Sequence, residues 1–78
     1  MYYVYSLRTK SGFYIGCTDN LKERIERHTK GQVPATKNIL PIKLEFYIAV
    51  ANRYKAYALV KYFKSGSGRA FINKRFIS

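Results

Sequence analysis

Acidic residues are scarce in this 78-residue chain. Asp19, Glu23, Glu26 and Glu45 stand against fifteen lysines and arginines, and the net charge at neutral pH is +11. Such an imbalance favours a polyanionic partner, above all nucleic acid, over a merely solubilising coat. Cysteine is confined to Cys17, which excludes a disulfide framework. A lone cysteine in a strand reads as a small core residue in a reducing compartment, and the expected location is cytoplasmic. No apolar run approaches the ~20 residues of a membrane span. The opening Tyr2-Tyr3-Val4-Tyr5 reads as a strand and not as a secretory leader. Prolines occur only at 34 and 41, and no repeat or low-complexity stretch divides the chain. One domain over residues 1–78 is expected, with a thin core, because a chain this short buries only about 60% of its unfolded surface.

Aromatic and β-branched residues are plentiful, and they set the secondary structure. Tyr2 to Leu7 and Phe13 to Thr18 read as two strands joined by the Thr-Lys-Ser-Gly loop between them. Asp19 or Asn20 caps a helix that runs to about Lys30, and Gly31 stops it. Gln32 to Pro41 is a loop. Ile42 to Ala51 is so continuously apolar that it is expected to be the central strand, covered on both faces. Asn52 caps a second helix, Arg53 to Lys64, which Ser65-Gly66-Ser67-Gly68 ends. Arg69 to Phe76 forms a short third helix or tail. The order ββαβαα predicts an α/β (α+β) fold, a small three-stranded antiparallel sheet with helices packed on it.

At 100° per residue, Leu21, Arg24, Ile25 and His28 share one arc of the first helix. Two readings of that stripe stand side by side. The arginine can snorkel beside a satisfied edge histidine, or both can point into a site. The hairpin bears on the choice. If residue 5 pairs with 14, Tyr5 and Tyr14 lie on one face, and Gly16 leaves an opening beside the two phenols. Phenol and imidazole can move a proton, and guanidinium can stabilise a pentacovalent phosphate. Those groups suit phosphodiester chemistry, although a core of aromatic strand residues is a common alternative.

These residues resemble the GIY-YIG nuclease superfamily. Tyr3-Val4-Tyr5 stands where that family has Gly-Ile-Tyr, and Tyr14-Ile15-Gly16 is its second signature word intact. Arg24 matches the family's arginine on the first helix, and His28 matches the histidine one turn on. Thr36 to Pro41 and Lys61 to Phe71 look like small stand-alone members, often described as similar to the nuclease domain of a bacterial excision-repair endonuclease. The resemblance implies hydrolysis of a DNA phosphodiester, with branched or damaged DNA as a candidate substrate, by an activated water with one divalent ion, Mg²⁺ or Mn²⁺. It implies that Tyr5, Tyr14 and His28 organise and deprotonate the water, and that Arg24 clamps the phosphate. Lys22, Lys37, Lys61 and Arg69 are candidates for backbone contacts to DNA.

The chain departs from the family at the metal-binding position. The metal-binding glutamate precedes a Lys-aromatic-apolar-Lys run, which here is Lys61-Tyr62-Phe63-Lys64, and the preceding residue is Val60. Val60 shares the inward stripe of the second helix with Ala56, Leu59 and Phe63. Hard cations need oxygen ligands, so no protein ligand to the metal is assigned, and Glu45 is only a remote substitute. An endonuclease domain with an impaired metal site is the first expectation, and a non-catalytic nucleic-acid-binding module is the alternative. A small ribosome-associated protein would fit the charge but leaves the signature words unexplained.

Overall fold

The computed structural model describes residues 1–77, so Ser78, the last residue of the expected domain, lies outside it. Strands β1 (Tyr2–Thr9), β2 (Gly12–Thr18) and β3 (Lys43–Val50) form one antiparallel sheet in the order β2-β1-β3. Helices α1 (Leu21–Thr29), α2 (Arg53–Lys64) and α3 (Gly66–Ile72) follow in the expected order, and a π-helical turn, Asn73–Ile77, extends α3. Among the described residues no helix is long and apolar enough to cross a membrane.

The hairpin closes on Lys10 and Ser11, with Thr9 opposite Gly12. Gly12 has φ +135°, a backbone that favours glycine. The register therefore differs from the expected one: Tyr5 faces Gly16, and Tyr14 faces Leu7. A two-residue shift preserves the alternation of faces, so Tyr5 and Tyr14 still lie on the same side of the sheet.

The central strand is β1, not β3. Val4, Tyr5, Ser6 and Leu7 are buried in succession, as a strand covered on both faces requires. β3 is an edge strand, with Tyr47 and Ile48 exposed. Its apolar run misleads because a bulge interrupts the pleat. Ser6 pairs with Phe46 and Leu7 with Leu44, which leaves Glu45 as the extra residue. Leu44 and Phe46 consequently serve opposite faces, and simple alternation is lost.

One face carries Tyr2, Val4, Phe13, Ile15, Cys17, Phe46 and Val50 against Ala56 and Phe63 of α2 and Ile72 of α3. The opposite face carries Tyr3, Tyr5, Leu7, Tyr14 and Gly16 and receives α1. Between α2 and α3 only Ser65 breaks the helix. It is the last cap of one and the first cap of the next, and its hydroxyl accepts from Gly68 N at 3.2 Å. Gly66 to Gly68 do not terminate α2, as the sequence suggested, but form the first turn of α3. A side chain at Gly68 would collide with the backbone of Tyr62 and Phe63.

Ser6 Oγ is fully buried and has no hydrogen-bond partner among the described residues. An unsatisfied hydroxyl costs desolvation without return. Ser6→Ala is therefore expected to unfold in urea within about 1 kcal/mol of the parent, on the neutral or stabilising side. A loss above about 2 kcal/mol would mean that the hydroxyl is satisfied after all.

Candidate active site

Helix α1 is positioned at both ends. The Asn20 side chain accepts from Glu23 N at 3.2 Å, so Asn20 rather than Asp19 is the cap. Starting there, the helix turns Leu21, Arg24, Ile25 and His28 toward the sheet. Gly31, with φ +74°, ends it by reversing the chain. The following loop tightens where Thr36 N and Lys37 N both donate to Val33 O at 3.0 Å. That turn buries Thr36 completely and leaves Lys37 exposed.

His28 is wholly buried, and both ring nitrogens are occupied. Nε2 is 2.9 Å from the Tyr5 hydroxyl, and Nδ1 is 2.7 Å from Thr36 Oγ1. The Tyr14 ring lies tilted against the imidazole, with centroids 5.4 Å apart. Gly16 is what lets Tyr5 reach His28. A Cβ at Gly16 would stand 2.5 Å from the Tyr5 hydroxyl oxygen. The opening expected beside the two phenols is thus filled by one of them.

Burial pushes the Tyr5 phenol up to about 12, helped by Tyr14. Arg24 opposes the shift, both by charge and as a hydrogen-bond donor to the phenol oxygen. Burial pulls the His28 imidazole below its ordinary value, and the charges of Arg24 and Arg27 act in the same direction. The resting pair is therefore a neutral phenol beside a neutral imidazole, and both shifts hold the proton on the phenol. The guanidinium lies where it would stabilise a phenolate or a phosphate oxygen.

These shifts predict how stability changes with pH. Below about pH 6.5 the unfolded chain protonates its histidine and the folded chain resists, so stability falls as the solution is acidified. Between pH 10.0 and about 12 the folded state retains the Tyr5 proton that the unfolded state loses, so stability falls again as pH rises. Thermal melts across pH 5 to 11 check both limbs. A melting temperature flat below pH 6.5 would show that His28 is not held neutral.

Tyr5, Tyr14, Gly16, Arg24 and His28 are brought together as expected. Val60 is not in their cluster. It sits on α2, across the sheet, packed against the core that contains Val4 and Ile15. Cys17, on the edge strand β2, feels charges from both sides of the sheet. Burial pushes that thiol up, and the charges of Arg24 and Lys64, one turn beyond Val60, both pull it down. The basic candidates divide in the same way. Lys22 borders a groove of about 540 Å³ between α1 and the sheet, lined also by Tyr3, Ile25 and Tyr47. Lys37 is on the loop beside Thr36. Lys61 is on the outer side of α2, and the Arg69 guanidinium lies 5.2 Å from the Phe13 ring centre. Thr36 is the residue that sequence reasoning passed over. A threonine in a polar loop between prolines carries no periodic signal, and only the fold shows it buried against His28.

The residues present do not fit the divalent cation that the resemblance implies. Among the described residues no cluster of three or more His, Cys, Asp or Glu could hold a metal. Val60 offers no oxygen, and Glu45 is engaged by Arg8 at 3.3 Å. No curated protein and no solved structure matches this chain significantly. The family model described as the GIY-YIG catalytic domain matches residues 1–75. With both signature tyrosines, the α1 arginine and the histidine gathered on one face of the sheet, this chain belongs to the GIY-YIG catalytic domain family.

Proposed function

We propose that this protein is a cytoplasmic DNA-binding member of the nuclease-type GIY-YIG family that keeps the family's phosphate site but cleaves poorly, because Val60 replaces the metal-binding carboxylate. The observation that carries this reading is the buried Tyr5–His28 pair at 2.9 Å, with Arg24 facing the phenol. Arg24 forms no ion pair among the described residues, so its charge is left for an anionic ligand. In this reading Arg24 clamps a phosphate. Tyr14, half-buried at the rim, orients the attacking water, and the Tyr5–His28 pair takes up its proton. Branched or damaged DNA is the proposed substrate class, by likeness to the excision-repair nuclease domain. A non-catalytic DNA-binding module is the second reading, and Val60 on its apolar packing favours it.

The test is a filter-binding series with duplex DNA at increasing salt. Neutralising six phosphates would release enough counterions to weaken binding by roughly 10³ between 50 and 200 mM salt. Arg24→Ala is expected to weaken binding at least about tenfold, as loss of a charge-assisted phosphate contact does. Arg27→Ala, on the exposed side of α1, is expected to cost less. Salt-independent retention, or equal losses from both substitutions in folded protein, would remove the phosphate site from this description.

A further inference from the structure

We infer that the solvent face of α2 binds an unpaired DNA strand, with Tyr54 and Tyr57 stacking on bases and Lys61 and Lys64 holding the adjoining phosphates. This rests on the reading of the protein as DNA-binding, and not on any cleavage chemistry. α2 buries Ala56 and Phe63 in the core. At 100° per residue, Tyr54, Tyr57, Lys61 and Lys64 fall within an arc of about 80° on the solvent side of the helix. All four are exposed, Tyr54 to 71% and Tyr57 to 52%. The Arg53 guanidinium lies 5.6 Å from the centre of the Tyr54 ring and adds a cation beside it. Single exposed aromatics are ordinary, but two neighbours on one helix face, one turn apart, form a platform that the fold does not use.

The charge around that platform selects the occupant. Glu45 is the last acidic residue of the chain, so α2 carries Arg53, Lys55, Lys61 and Lys64 with no acid among them. A second copy of the chain docked face to face would bring two uncompensated cationic helices together. An anionic lipid surface would satisfy the lysines, but it also needs an aliphatic face to bury. Between the tyrosines and lysines of this stripe there is only Ala58. A duplex would satisfy the lysines and leave the rings unused, because its base faces are already stacked on one another. A single strand satisfies both, since each nucleotide offers an open π-face and a phosphate. From Tyr54 to Lys64 the helix rises about 15 Å, the length of roughly four nucleotides at about 3.4 Å each. The stripe lies across the sheet from the Tyr5–His28 pair, so the protein has a second DNA surface. DNA with a single-stranded segment would engage it as duplex alone does not.

Fluorescence anisotropy at one fixed salt concentration tests this with labelled oligothymidylate, an abasic strand of the same length, and a duplex. The parent protein is expected to bind oligothymidylate at least about fivefold more tightly than the abasic strand, which has the phosphates but no bases. Tyr54→Ala and Tyr57→Ala are each expected to weaken oligothymidylate binding at least about fivefold. The corresponding phenylalanine variants, which keep the ring, are expected to match the parent. Alanine on an exposed helix face favours the helix, so the variants are expected to fold, as far-UV circular dichroism would show. Tyr62→Ala is the control. Tyr62 is also exposed on α2 but lies off the stripe, with its ring against Phe63, and its loss is expected to cost less. Equal binding of the abasic strand and oligothymidylate by the parent protein would overturn the inference without any variant. So would parental oligothymidylate affinity in folded Tyr54→Ala and Tyr57→Ala, or an equal loss in Tyr62→Ala. Oligouridylate bound far more tightly than oligothymidylate would make the partner RNA. Phosphatidylserine vesicles held through the two tyrosines, or a dimer that their removal dissociates, would give the stripe to a membrane or a second copy if oligothymidylate binding stays unchanged. Duplex binding separates this inference from the reading it rests on. If duplex is bound through Arg24 while bases add nothing to single-strand binding, only the α2 site falls. If the parent binds neither duplex nor single strand, the DNA-binding reading falls with it.

Discussion

Gly16→Ala is expected to destabilise the protein by about 2–4 kcal/mol, although it adds a single methyl group to a strand. Overpacking a dense core costs about 1–3 kcal/mol, and a lost buried hydrogen bond adds about 1 kcal/mol. Both apply here, because the new Cβ would lie 2.5 Å from the Tyr5 hydroxyl oxygen and 2.6 Å from the ring carbon that bears it. The phenol has nowhere to retreat. Tyr5 is 1% exposed, and its hydroxyl is held by a His28 that is itself fully buried. In a domain of this size the loss corresponds to a fall in melting temperature of roughly 10–30 °C. Gly66→Ala is the control. Nothing lies within 4 Å of a Cβ there, so only the unfolded-state entropy changes, and the variant is expected to melt at or slightly above the parent. Scanning calorimetry on the two variants decides the point. A Gly16→Ala melting temperature within a few degrees of the parent would mean that Tyr5 can leave Gly16 without loss, and that the glycine does not position the phenol.

That glycine illustrates what could be read in the sequence and what could not. A glycine interrupting an aromatic strand signalled a close approach, and the approach is real. Its direction was not legible, because the opening it leaves is occupied by a tyrosine from the neighbouring strand. The hairpin register differs by two residues from the one the sequence suggests, which leaves the site intact, since only an odd shift exchanges faces. β3 failed for a different reason. The bulge at Glu45 lets two residues of the same parity serve opposite faces, so an edge strand imitates a covered one. The α1 stripe was legible because a nine-residue helix with an asparagine cap holds its phase. The position of Val60 was legible along α2 but not across the sheet. Helical periodicity states that a residue points inward, and it does not state which of two faces lies inward.

Val60→Glu tests the damaged-site reading with the largest gain. A carboxylate buried without partners is costly, and its pKa rises. At position 60 the positive charge of Lys64, one helical turn on, offsets part of that cost. The variant is expected to fold, with some loss of stability in the absence of metal. It then carries an oxygen ligand at the position where the family resemblance places one. If Mg²⁺ or Mn²⁺ binds only the native state, metal at a hundred times its dissociation constant adds about 2.7 kcal/mol. That should raise the melting temperature by roughly 10–20 °C in a domain of this size. The same variant is expected to nick supercoiled plasmid in the presence of metal at a rate well above that of the Val60 protein. Leu59→Glu provides the comparison. Leu59 packs against the same core, so a charge there is expected to destabilise with no recovery on adding metal. If Val60→Glu unfolds as Leu59→Glu does, or folds but neither gains stability from metal nor nicks DNA, then position 60 is part of the hydrophobic core and nothing more. The Tyr5–His28 pair would in that case be inherited architecture, and DNA binding without cleavage would be the better account of this protein.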